Sequence, residues 1–372
     1  MHGWYDEIYD HAVKALPVLE HPPVLRVTYS TNKSCETINL NGINYIIYDQ
    51  NLGQSMNMMN RLFFNSTDKD DAIMYGYKLL AENFQLMGRP DIGAAFVLQH
   101  VKLKENATSY KIDIDPRRRA AFTLTQECFV LVHELMHIVL SQRDSQPLLA
   151  SKREMILETM THRVNIVEAV HEYLSDIDSA FDDTESERLT PKQIRAVEKE
   201  FAKNQEEFIA ERSAELTGRV DILEECVVDE WAAWLTTAIV KRAYGVSLID
   251  SLQAILIGLH SLRLMAISNN QAARMSRSTI EPRGYIFESL IRVSNYRSTT
   301  NMFFGRKWPR INRKIHQEFV KANRRYASAV QDPILFVVED QLASIDKALL
   351  RGKAPISRQD PRELNRLIDT VI

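Results

Sequence analysis

A chain of 372 residues with 45% apolar content can bury a full core, as one elaborated domain or two unequal ones. A formal net charge of −3 argues against nucleic acid as the main partner. The 3 cysteines, Cys35, Cys128 and Cys226, form neither a Cys-x-x-Cys pair nor an even disulfide framework, which suits a reducing cytosol. The opening Met1-His2-Gly3-Trp4-Tyr5-Asp6-Glu7 lacks the basic start and apolar stretch of a secretory signal. Arg242, Asp250, His260 and Arg263 interrupt the long apolar region 231–267, so a cytoplasmic protein without a membrane span is expected.

Residues 24–30 alternate as a strand does, and 36–40 and 43–48 flank Asn41-Gly42, a hairpin signal, so a small N-terminal sheet is expected. Helical spacing follows at 54–64 and 70–86. The segment Ser109-Tyr110-Lys111-Ile112-Asp113-Ile114 then alternates as a strand.

From 122 to 140 nearly every other position is apolar, which predicts a helix buried on most sides. Inside it stands His133-Glu134-Leu135-Met136-His137. Residues i and i+4 of a helix share a face one turn apart, so both imidazoles reach one ion. Glu134 lies roughly 100° around the helix, beside that ion, where it can take a proton from water. A chance pentad is the alternative. Burial weighs against it, because two histidines and a carboxylate in an apolar helix need partners, and a divalent metal satisfies all three together.

Residues 151–219 turn highly charged and helical, with a break at Asp182-Asp183-Thr184-Glu185 and a restart at Thr190-Pro191, an N-cap followed by a first-turn proline. An inserted helical hairpin is expected, either a solvated spacer or an arm that covers the site or binds a regulatory protein.

A catalytic zinc needs a third protein ligand. The run Glu224-Glu225-Cys226-Val227-Val228-Asp229-Glu230-Trp231 has apolar residues at helical spacing and sets Glu225 and Asp229 four apart on one face. Glu225 is expected to bind the metal, and Asp229 to accept the remaining N–H of a ligand imidazole. Glu224 and Asp229 itself are the reserve carboxylate ligands, and His162 or His171 would serve if the third ligand were imidazole. An acidic face at a helix N-terminus would read similarly in isolation.

Next come a buried helix at 246–268, a polar loop at 269–278 and a further helix at 285–296. Residues 297–325 are basic, with Arg306, Lys307, Arg310 and Arg313 interleaved with Phe303, Phe304 and Trp308, a mixture that can meet nucleic acid or an acidic protein surface.

An apolar His-Glu-x-x-His helix followed by a helix bearing Glu-x-x-x-Asp resembles the gluzincin metallopeptidases, and within them the Lit-type phage-exclusion peptidases of bacteria. The resemblance implies zinc held by His133, His137 and Glu225, Glu134 as the base that activates water, and Asp229 orienting a ligand histidine. It also implies that an edge strand beside the active-site helix, here 109–114, pairs with an extended substrate. About ninety residues separate the pentad from Glu225, more than in compact gluzincins. Where many relatives carry a His-Pro pair, this chain has Glu281-Pro282-Arg283-Gly284-Tyr285, so Arg283 or Tyr285 is expected to face the developing oxyanion, with His260 the other conceivable donor.

The expectation is therefore an α+β, mainly helical fold. It has a zincin-like core, a small N-terminal sheet, an inserted helical hairpin and a helical C-terminal region, divided at 1–150, 151–219, 220–296 and 297–372. The expected activity is zinc-dependent hydrolysis of peptide bonds in a protein substrate, with phage defence as the biology that the resemblance implies. The rival is a regulatory or nucleic-acid-binding protein that works through its basic C-terminal region.

Overall fold

The computed structural model describes residues 2–16, 19, 21–30, 32–65, 69–104, 113–162, 195–196, 199, 203, 207, 210, 220–276 and 313–338. The described residues are mainly helical and carry one three-stranded sheet. The chain divides into two compact units, Met1–Arg143 with Val228–Ile372, and Asp144–Val227.

The first unit opens with α1 (His2–Lys14), whose Tyr5, Ile8 and Ala12 form a buried stripe. β1 (Val24–Thr28), β2 (Cys35–Leu40) and β3 (Ile43–Asp49) then form a sheet in the order β1-β3-β2. β1 runs parallel to β3, with Val24 opposite Tyr45, and β2 runs antiparallel to it, with Cys35 opposite Tyr48 and Leu40 opposite Ile43. The β2–β3 turn is Asn41-Gly42, with φ of 53° and 81°, the left-handed pair that a two-residue hairpin requires. Asp49 at the end of β3 holds the preceding loop: its carboxylate accepts the N–H groups of Ser30, Lys33 and Asn51, each at 3.0 Å, which fixes Lys33 at a φ of 53°.

Four helices follow: α2 (Gln50–Asn65), α3 (Lys69–Leu86), α4 (Pro90–Lys104) and α5 (Pro116–Ser141). α3 ends at Gly88, with φ of 72°, where the Arg89 N–H returns to the Phe84 carbonyl and closes the helix with a left-handed cap. α5 begins at Asp115, whose carboxylate accepts the Arg118 N–H at 3.0 Å, with Pro116 in the first turn. From Phe122 onward α5 is buried almost all round, as its largely apolar character predicts.

α7 (Val220–Tyr244) and α8 (Leu248–Ser276) come after α6 (Gln146–His162), and Gly245, at φ 69°, ends α7. α8 packs on α3 and α5. By length and composition alone residues 248–269 could cross a membrane, yet 72% of that stretch is buried inside the fold. α9 (Arg313–Tyr326) packs on α8 and leads through a π-helical turn, Ala327–Gln331, into helical residues 332–338.

Buried amides set the register of three of these helices. Asn60 on α2 and Gln126 on α5 exchange hydrogen bonds at 2.8 and 3.1 Å, and Gln126 also donates to the Ala254 carbonyl on α8 at 3.0 Å. A Cβ at Gly258 would stand 3.0 Å from the Gln126 side chain, so the glycine lets α8 come this close.

The second unit contributes α6, with Leu149 and Lys152 buried, further helical positions at 195–196, 199, 203, 207 and 210, and the first turns of α7. The expected break at 182–185 and the restart at 190–191 lie outside the described residues.

Two expectations need correction. The polar stretch after 268 is not a loop at its start: α8 runs on to Ser276, because Gln271, Ala272 and Ala273 are good helix formers and neither Gly nor Pro intervenes. Asp113 and Ile114 are not in a strand. Asp113 accepts from Arg119 at 2.7 Å and from Asn65 at 3.2 Å, and the Ile114 N–H donates to Asn65 at 2.9 Å, so these residues form a braced entry to α5. Residues 109–112, and the helix expected at 285–296, lie outside the described residues.

Candidate metal centre

α5 supplies His133, Glu134 and His137. His133 is buried, and the other two are half-buried. One turn of helix separates the two imidazoles, and their rings meet edge-on with centroids 4.7 Å apart. Their Nε2 atoms converge to 3.0 Å.

The other nitrogen of His133 is committed elsewhere. Its Nδ1 lies 3.0 Å from Oδ1 of Asp229 on α7, and both side chains are almost wholly buried. An Nδ1–H donating to that carboxylate fixes the tautomer and turns the Nε2 lone pair toward His137. Asp229 thus reaches the first histidine of the pentad.

α7 also carries Glu225, four residues before Asp229 and on the same helical face. The donor atoms of His133, His137 and Glu225 all lie within 4.8 Å of one another, so the group could hold a metal ion. The set fits such an ion chemically: two imidazole nitrogens and one carboxylate oxygen, with a carboxylate behind one imidazole, are the donors and support that a divalent metal uses.

Sequence reading missed the partner of Glu134. Thr37, on β2, an edge strand among the described residues, donates its hydroxyl to Oε2 of Glu134 at 2.9 Å, while the backbone carbonyl of the same glutamate is 3.4 Å away. Cys35, two residues earlier on the same face of the strand, lies near enough that burial, together with the charges of Glu134 and Glu36, pushes its thiol well up. Nothing in the sequence links residue 37 to residue 134, because the link arises only where β2 packs on α5.

Six residues before His133, α5 buries a second carboxylate. Glu127 accepts from Trp4 Nε1 at 3.0 Å, Tyr5 Oη at 3.2 Å and Tyr48 Oη at 3.4 Å, which ties α1 and β3 to the metal-bearing helix. Burial pushes its carboxyl up, against the lowering effect of those three donors.

Of the other expected residues, Arg283, Tyr285 and His171 lie outside the described residues, as does the side chain of His162. Glu224 is half-buried and is not among the converging donors. His260 belongs to the packing of α8 against α9: its ring stacks on Tyr326 at 5.9 Å, and burial, with the charge of Arg263 nearby, brings it down to about 4 against the raising effect of Asn323. Cys128 and Cys226 are buried on α5 and α7, and burial raises the Cys128 thiol to about 12. Comparison of the chain with protein-family models, curated proteins and solved structures finds no match.

Proposed function

We propose that the protein is a zinc metallopeptidase that hydrolyses peptide bonds in a protein substrate. The observation that carries the reading is the pair of Nε2 atoms converging at 3.0 Å while Asp229 holds the far nitrogen of His133. An imidazole pair so arranged, one ring buried and the other half-buried, has its lone pairs directed into one small volume. A divalent cation relieves that arrangement better than a single proton does.

His133, His137 and Glu225 would hold the metal, a two-imidazole, one-carboxylate set that leaves a fourth position open, as catalytic zinc requires. Zinc bound there supplies a Lewis acid that polarises the scissile carbonyl and lowers the pKa of the attacking water. Glu134 takes the proton of that water and passes it to the leaving amine. Asp229 keeps His133 in one tautomer and one orientation throughout.

An extended peptide pairs with an exposed strand edge through its backbone. Among the described residues β2 has β3 on one side only, and it packs beside α5, so it is a candidate edge for such pairing. The phage-defence role rests on the family resemblance. In the described part of the basic C-terminal region, on which the rival reading rests, Arg325 donates to the Phe64 carbonyl at 2.9 Å and lies over the Phe63 ring, serving the fold, while Lys321 and Arg324 are exposed.

The test is elemental analysis of protein purified without chelator, beside His133→Ala, Glu134→Gln and Glu225→Gln. About one zinc per chain is expected in wild type and Glu134→Gln, with loss in the other two. Glu134→Gln should also lose cleavage of an unfolded protein such as casein. A metal-free wild type would overturn the reading.

A further inference from the structure

We propose that Thr37 is a positioning residue for Glu134: its hydroxyl, presented by the edge strand β2, holds one carboxylate oxygen so that the other faces the attacking water. The proposal rests on the peptidase reading of the site.

The geometry identifies the acceptor. A threonine hydroxyl has one proton to give, and Oε2 of Glu134 at 2.9 Å is the better acceptor than the backbone oxygen at 3.4 Å. Both anchors of the contact are stiff. β2 is held in register by β3, with Thr37 opposite Ile46, and Ile46 is fully buried. Glu134 rises from α5, which is buried on most sides. What remains loose is the glutamate side chain, with three torsions of its own, and the hydroxyl removes that freedom where a base must stand within hydrogen-bond reach of a proton.

Threonine suits the task. Its β-branch limits χ1 on a strand, so the hydroxyl keeps its aim. With Oε2 engaged, Oε1 is the oxygen left to receive a proton, and among the described residues no other side chain holds Glu134.

The contact could instead serve only to hold the sheet on α5, and the test separates the two roles without a known substrate. Wild type, Thr37→Val and Thr37→Ser are loaded with cobalt(II) and titrated with acetohydroxamic acid, followed by visible absorption. As the acid binds the metal through both oxygens as acetohydroxamate, its N–O–H proton passes to the neighbouring base. Thr37→Val should bind cobalt as wild type does and unfold at the same temperature, yet take acetohydroxamate about tenfold more weakly; Thr37→Ser should restore the affinity to within about twofold. Equal affinity in wild type and Thr37→Val, or a loss of cobalt and stability in Thr37→Val, overturns the positioning role and leaves the peptidase reading standing. Failure of wild type to bind cobalt overturns both.

Discussion

Asp229 determines which nitrogen of His133 is available, and this makes it a better probe of the centre than the ligands themselves. Asp229→Ala leaves a buried Nδ1–H without its acceptor and lets the ring turn, so metal affinity should fall about 10- to 100-fold, read by competition with a chromophoric chelator. Unchanged affinity would mean that the carboxylate does not govern the imidazole. Glu127 offers a test independent of any metal. Its proton is held more tightly in the folded chain than in the unfolded one, so its contribution to stability falls as pH rises from the ordinary carboxylate value through the raised one. Glu127→Gln removes that slope, and urea unfolding at about pH 5 and about pH 7 should show the variant gaining on wild type at the higher pH. Glu225 and Asp229 were readable in the sequence because a four-residue spacing on one helix is a local fact. Thr37, Trp4 and Tyr48 were not, because each meets its carboxylate only through the packing of one element on another.

Elements with strong local chemistry were legible: Asn41-Gly42 marked the β2–β3 turn, and the apolar run marked α5 as a buried helix. Those without it were not. α4 is apolar on several sides, with Val97, Leu98 and Val101 exposed, so no single stripe announced it. The alternation at 109–114 has strand periodicity, but at Asp113 and Ile114 hydrogen bonds to Arg119 and Asn65 hold a loop instead. A close approach between two elements gives a sharp prediction here. A Cβ on Gly53 would fall 2.0 Å from Oε1 of Glu127 and 2.8 Å from Oη of Tyr48. The glutamate tip could swing aside were it not held by three donors. Gly53→Ala should therefore cost about 1–3 kcal/mol despite the better helix propensity of alanine, measured by denaturant unfolding. A neutral result would mean that α2 and α5 can separate without loss.

For the molecule as a whole, pH acts through two buried groups of opposite sense. His260 resists protonation when folded, with a pKa of about 4 against 6.5, so its contribution to stability is full above 6.5 and is lost as pH falls through that window, by roughly 3 kcal/mol at the limit. His260→Phe keeps a ring against Tyr326 and should flatten the acid limb of a stability–pH curve, whereas Glu127→Gln changes the slope with the opposite sign. An acid limb unchanged in His260→Phe would assign it to other groups. Metal should add its own increment: a tight ligand of the folded chain alone raises the melting temperature in wild type and in Glu134→Gln, and leaves His133→Ala where it was. α7 has a consequence of another kind. One helix carries both Glu225, a donor of the candidate set, and Asp229, the partner of His133. Unwinding of that helix by one turn there would withdraw both carboxylates in a single event, so the candidate donor set and the orientation of His133 share one point of failure.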